Sequence, residues 1–126
     1  MSIRGIEHVA IAARDPKKLA QWYIERLNFL FSAEIGPTVY IHDSKGTILE
    51  FVPSETTPPP PKMRDLGLRH IAFEVDDLDK TASDLVQAGV ELTGEPITLE
   101  GMRLQFFRDP EGNYLHLVKR ERPLPR

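Results

Sequence analysis

The chain has 126 residues and a net charge of −3, and its 16 Lys and Arg are scattered rather than gathered into a stripe, which argues against a nucleic-acid partner. Cysteine is absent, so disulfides, thiolate metal sites and a cysteine nucleophile are excluded, and a reducing, cytoplasmic setting is expected. Composition is that of a folded chain, with 40% hydrophobic and 28% charged residues, and no apolar run approaches the roughly 18 residues of a membrane span.

In chain order, residues 3–13 read as a strand, and Asp15 before Pro16 supplies a helix cap and a first-turn proline. Leu19, Trp22, Tyr23 and Leu27 recur at helical spacing, which marks Trp22 and Tyr23 as core. Residues 29–33, 38–42 and 47–52 are three short strands, the last two joined by a turn at Asp43, Ser44, Lys45 and Gly46. The unit is βαβββ. Residues 53–66 include Pro58, Pro59, Pro60 and Pro61, which cannot continue a sheet and predict an extended connector. The order then repeats: a strand over 68–75, a cap at Asp76 or Asp77, and a helical stripe of Leu78, Ala82, Leu85 and Val86 stopped by Gly89. Strands near 91–93, 103–108 and 113–120 complete the second unit, with Asp109, Pro110, Glu111 and Gly112 as the final turn. The expectation is an α+β fold of two tandem βαβββ modules forming a curved mixed sheet. As one domain over 1–126, it comprises module one (1–52), linker (53–66), module two (67–120) and a loose tail (121–126). Each module is too small to bury an adequate core alone, so a homodimer is expected.

The two modules are copies. Gly5, Ile6, Glu7, His8, Val9, Ala10 and Ile11 are answered by Gly67, Leu68, Arg69, His70, Ile71, Ala72 and Phe73. The copies also close alike, with Gly46, Thr47, Ile48, Leu49, Glu50 and Phe51 matching Gly112, Asn113, Tyr114, Leu115, His116 and Leu117. Alternate strand residues point to opposite faces. Val9, Ile11, Leu49, Phe51, Ile71, Phe73, Leu115 and Leu117 therefore share the face an amphipathic helix would cover. His8, Glu50, His70 and His116 share the other, beside Ala10, Ala72 and Tyr114, and that face reads as the lining of a cavity. A lone strand histidine is more often a hydrogen-bonded packing residue than a ligand, but four groups at equivalent positions point to a shared partner. Three neutral imidazoles and one carboxylate suit one divalent first-row metal ion, Zn, Ni, Fe, Mn or Co, leaving a charge of about +1 and room for substrate oxygens. His42 falls outside the pattern and reads as a surface hairpin residue; Glu74, near a strand end, reads as solvated or paired with a base. Parity leaves open whether Arg103, Gln105 and Phe107 or Leu104 and Phe106 line the pocket.

Tandem βαβββ modules with His8, Glu50 and His70 at these places, and with Phe107, Arg108, Asp109, Pro110, Glu111, Gly112 and Asn113 before the last strand, resemble the vicinal oxygen chelate superfamily over nearly the whole chain. That superfamily includes glyoxalase I lyases, methylmalonyl-CoA epimerases, fosfomycin-modifying thiol transferases, extradiol dioxygenases and metal-free bleomycin-binding proteins. The resemblance implies that the first and last strands of both modules supply the metal ligands. His8, Glu50 and His70 match the glyoxalase I pattern, whereas His116 stands where that family usually has a glutamate taken to shuttle the substrate proton. The implied function is a divalent-metal-dependent, glyoxalase-like lyase or isomerase. It would act on a small oxygen-chelating substrate through an oxyanion or enediolate, with Glu50 and His116 as catalytic candidates. The alternatives are an Fe(II) dioxygenase using His8, His70 and Glu50, or a non-catalytic protein that sequesters a small molecule.

Overall fold

Residues 1–126 are described by a computed structural model, and the chain divides into two units, Met1–Pro59 and Pro60–Arg126, at the proline run. In the first, β1 (His8–Ala13) leads to α1 (Pro16–Leu27), β2 (Leu30–Ile35), β3 (Thr38–His42) and β4 (Ile48–Pro53). Asp15 is extended, and its side chain accepts from the Lys18 backbone N–H at 3.1 Å, satisfying one of the free donors of the first helical turn. Asn28 ends the helix in the left-handed region at φ 60°, a conformation that asparagine tolerates better than most side chains. The chain then reverses, so that buried Phe29 packs edge-on against Tyr23, ring centroids 5.8 Å apart.

The first sheet has the order β1-β4-β3-β2. β1 runs parallel to β4, whereas β3 is antiparallel to both of its neighbours. Helix α1 covers one face, burying Leu19, Ala20 and Tyr23 with Val39, Ile41, Leu49 and Phe51. Trp22 is only half-buried, with the Arg26 guanidinium 6.0 Å above its ring.

The second unit repeats this plan with β5 (His70–Glu74), α2 (Leu78–Gln87), β6 (Leu92–Leu99), β7 (Met102–Arg108) and β8 (Tyr114–Arg120), in the order β5-β8-β7-β6. Asp77, rather than Asp76, caps α2, accepting from Lys80 N–H at 3.0 Å. Gly89 takes φ +85°, and Val90 N–H reaches back to the Leu85 carbonyl at 2.9 Å, a glycine-dependent helix stop. Leu78, Ala82 and Leu85 are buried with Phe107, Leu115 and Leu117, while Val86, read as part of the stripe, is exposed. The fold is α+β, two mixed four-stranded sheets with one helix each. Neither helix is long and apolar enough to cross a membrane.

Several boundaries differ from the sequence reading. β1 and β5 begin at His8 and His70, not at residues 3 and 68. Their sole neighbours, β4 and β8, start at Ile48 and Tyr114, directly across from those histidines, so earlier residues have no ladder to join. Gly5 and Gly67 bend the preceding chain at φ +121° and +106°, leaving Ile3 and Ile6 79% and 87% exposed. β6 is longer than residues 91–93. It absorbs Gly94, Glu95 and Pro96 in an irregularity between Thr93 and Ile97, and the edge position tolerates a proline that cannot donate.

Candidate metal centre

Ala10 pairs with Glu50 and His8 with Ile48 across the parallel β1–β4 ladder, so His8 and Glu50 are diagonal neighbours on the face opposite α1. Their side chains meet with His8 Nε2 and Glu50 Oε1 3.6 Å apart. On the far side of the imidazole, Nδ1 lies 2.9 Å from Glu7 Oε1. In the neutral ring Nδ1–H donates to that carboxylate, which leaves the Nε2 lone pair turned toward Glu50. Two acceptor atoms then face one another, a contact that either a proton on Nε2 or a bound cation would relieve.

Tyr40 lies directly across β3–β4 from Glu50. The Glu50 carboxylate, as hydrogen-bond partner, is the first cause holding the Tyr40 phenol above its ordinary pKa, with desolvation next. The Tyr40 ring also meets His8 edge-on, with centroids 6.2 Å apart and planes at 88°.

The second unit builds the same corner with different chemistry. Ala72 pairs with His116 and His70 with Tyr114, bringing the His70 and His116 rings to 4.4 Å between centroids. Phe106, across β7–β8 from His116, takes the place of Tyr40 and meets His70 edge-on at 6.0 Å and 90°. It packs on His116 at 5.0 Å but offers no hydroxyl. His116 is 6% exposed, and burial, then the neighbouring His70, lower its pKa. Its Nδ1 lies 3.2 Å from the Leu117 carbonyl, so the neutral ring donates there and keeps Nε2 free as a ligand or base.

The four residues singled out from the sequence thus come together as His8 with Glu50 and as His70 with His116. No group of three or more His, Cys, Asp or Glu side chains gathers around one point. On the candidate face Ala10, Ala72 and His70 are exposed, whereas Leu104, Tyr114, His116 and Val118 of the second sheet are buried. Of the two sets that parity left undecided, Leu104 and Phe106 share the His116 face. Phe107 is fully buried on the helix side, where Gln105 donates to the Gly94 and Phe106 carbonyls. His42 is more than a hairpin residue: it ends β3 on the same face as Tyr40, half-buried, with Nδ1 2.6 Å from Ser32 Oγ. Tyr40 and Phe106, which the sequence reading did not assign to the site, stand beside Glu50 and His116 because the β3–β4 and β7–β8 registers put them there.

Both last strands are launched by the same device. Asp43 Oδ1 accepts from Lys45 and Thr47 N–H, each at 2.9 Å, and Asp109 Oδ1 from Glu111 and Asn113 N–H at 2.9 and 3.0 Å. These turns fix where β4 and β8 begin and hence which residues stand opposite the histidines.

Residues 5–117 match the Glyoxalase/Bleomycin resistance protein/Dioxygenase superfamily. Uncharacterized protein YwkD of Bacillus subtilis (strain 168) is 33% identical, the alignment covering 94% of this chain and 99% of that one. A glyoxalase family protein from Enterococcus faecalis is similar in structure, with a TM-score of 0.77 at 28% identity over 94% of this chain and 100% of that one. Oxidase ChaP-H2 gives a TM-score of 0.73 at 26% identity over 98% and 96%.

Proposed function

Because the chain belongs to the Glyoxalase/Bleomycin resistance protein/Dioxygenase superfamily, we propose that it is a divalent-metal-dependent enzyme of glyoxalase-like, lyase or isomerase type. His8, Glu50, His70 and His116 jointly supply its metal ligands. The observation that carries this reading is the facing pair in the first unit. Donors bound to one ion at about 2.0–2.2 Å each sit about 3.0–3.5 Å apart, and His8 Nε2 and Glu50 Oε1 are 3.6 Å apart with the imidazole already oriented by Glu7. In the second unit His116, neutral near pH 7 through its lowered pKa, needs to shed no proton to bind.

A metal ion held by these donors supplies Lewis acidity toward two oxygens of a hydroxyketone, thiohemiacetal, thioester or vicinal diol. Glu50 is the candidate base. Tyr40, across the ladder from Glu50, is placed to donate a hydrogen bond to its carboxylate and steady the group for accepting a proton from carbon. His116 is the proton carrier when its Nε2 is not a ligand, since one lone pair cannot serve both roles at once. A homodimer and a cytoplasmic setting belong to the same proposal. Leu30, Ile35 and Ile97, on the candidate faces of the two sheets, are 60%, 65% and 41% exposed, apolar surface that a second copy would cover.

Elemental analysis of protein purified without chelators tests the reading, followed by a substrate screen with the metal found. Bound metal should fall sharply in His8→Ala and in His70→Ala, because each removes a ligand. Equal metal content in both variants defeats the ligand assignment, and metal-free native protein favours a binding protein without catalysis. The likeness to an oxidase supports a second reading, an iron-dependent dioxygenase using two histidines and one carboxylate; oxygen consumption with catechols separates it from the first.

A further inference from the structure

Beside the His70–His116 pair, on the same face, lies a cationic group that the proposed chemistry does not use. Arg108 ends β7 directly opposite Tyr114, which in turn pairs with His70 across β5–β8. The guanidinium stacks 4.4 Å from the Tyr114 ring centroid and donates from Nη2 to the Tyr114 hydroxyl at 2.8 Å. It makes no ion pair, its side-chain contacts being those with Tyr114. Arg108 is exposed, while Tyr114 beneath it is 9% exposed.

This arrangement is preorganised for an oxyanion. Stacking restricts the plane of the guanidinium. One of its five N–H groups is spent on the hydroxyl, which as acceptor keeps its own proton to donate outward. With Nη2 and the hydroxyl oxygen 2.8 Å apart, the remaining guanidinium donors and that O–H are neighbours, the donor types that the two oxygens of a carboxylate accept from. The duplication argues that the fold itself does not demand the pair. At the equivalent register in the first sheet, His42 stands opposite Ile48 and turns to Ser32 instead.

We propose that Arg108 and Tyr114 anchor a carboxylate of the substrate, so that the substrate is a small, oxygen-chelating carboxylic acid whose reacting end lies toward His70 and His116. The inference rests on the metal-site reading above and narrows its substrate class. Its test can be run on metal-free protein. Nitrogen-15 NMR titration with malonate should give saturable shifts at the Arg108 side-chain N–H and the Tyr114 amide. Affinity should drop about tenfold or more in Arg108→Gln, as expected for loss of a charge-assisted contact, and fall measurably in Tyr114→Phe, which keeps the ring. Neutral malonamide should not compete. No saturable malonate binding, equal binding by Arg108→Gln, or competition by malonamide overturns the proposal; inorganic phosphate binding more tightly than malonate overturns the carboxylate assignment. Metal content measured in parallel keeps the two ideas separable: absence of metal from the native protein sinks the proposed function and leaves the malonate result standing on its own.

Discussion

Tyr40→Phe removes one hydroxyl and nothing else, and the duplication supplies its control, since the second sheet already has Phe106 at the equivalent place. Tyr40 stands directly across β3–β4 from Glu50, which raises the pKa of its hydroxyl; the Glu50 side chain is 15% exposed, so water has limited access to take the place of that hydroxyl. Hydrogen bonds of this kind orient a ligand and typically support metal affinity by about 10- to 100-fold. The low exposure of Glu50 places the expected loss toward the upper end. Folding should be little affected, because Tyr40 is only half-buried and no core contact is lost. The assay is competition for metal against a chromophoric chelator, with thermal unfolding of the metal-free protein measured alongside. Phe106→Tyr, which adds a hydroxyl beside His116 rather than beside Glu50, should not restore the affinity. Unchanged metal affinity in Tyr40→Phe would show that the hydroxyl does not hold Glu50 for the metal, and the reasoning from the Tyr40–Glu50–His8 corner would fail.

Other outcomes follow from the same geometry. The depressed pKa of His116, caused first by burial and then by His70, means that the unfolded chain binds a proton there more readily than the folded one. Metal-free stability should therefore be full above the ordinary imidazole pKa of about 6.5 and decline as pH falls below it. In His116→Gln that decline should be shallower; an identical pH profile would refute the linkage. Metal affinity should itself weaken below about pH 6, where imidazoles must lose protons to bind, as equilibrium dialysis across pH would reveal. The native protein should turn over the methylglyoxal–glutathione adduct poorly, and His116→Glu should gain about 10²- to 10⁴-fold by supplying a carboxylate base; efficient native turnover in steady-state assays would contradict this. Sedimentation at micromolar concentration should show a dimer, and a monomer with bound metal would end that expectation.

Much of this protein is legible from local pattern. The helix start at Asp15, and the second at Asp76 or Asp77, are marked by short-range capping, and the helix stop at Gly89 by one residue's access to positive φ. The shared face of His8 and Glu50, and of His70 and His116, follows from strand parity together with the repeat, because alternation needs only the identity of the strand. What depends on pairing between distant segments was not available that way. Where β1 and β5 begin is decided by where β4 and β8 begin. The partners of Glu50 and His116, Tyr40 and Phe106, are decided by the β3–β4 and β7–β8 registers. β6 extends through a proline because it is an edge strand with an irregular ladder. The lone pairs left free on His8 and His116 likewise depend on Glu7 and the Leu117 carbonyl occupying Nδ1. Residue type and period determine which side chains share a face; only the tertiary ladder decides which atoms meet, because register is a property of two strands at once.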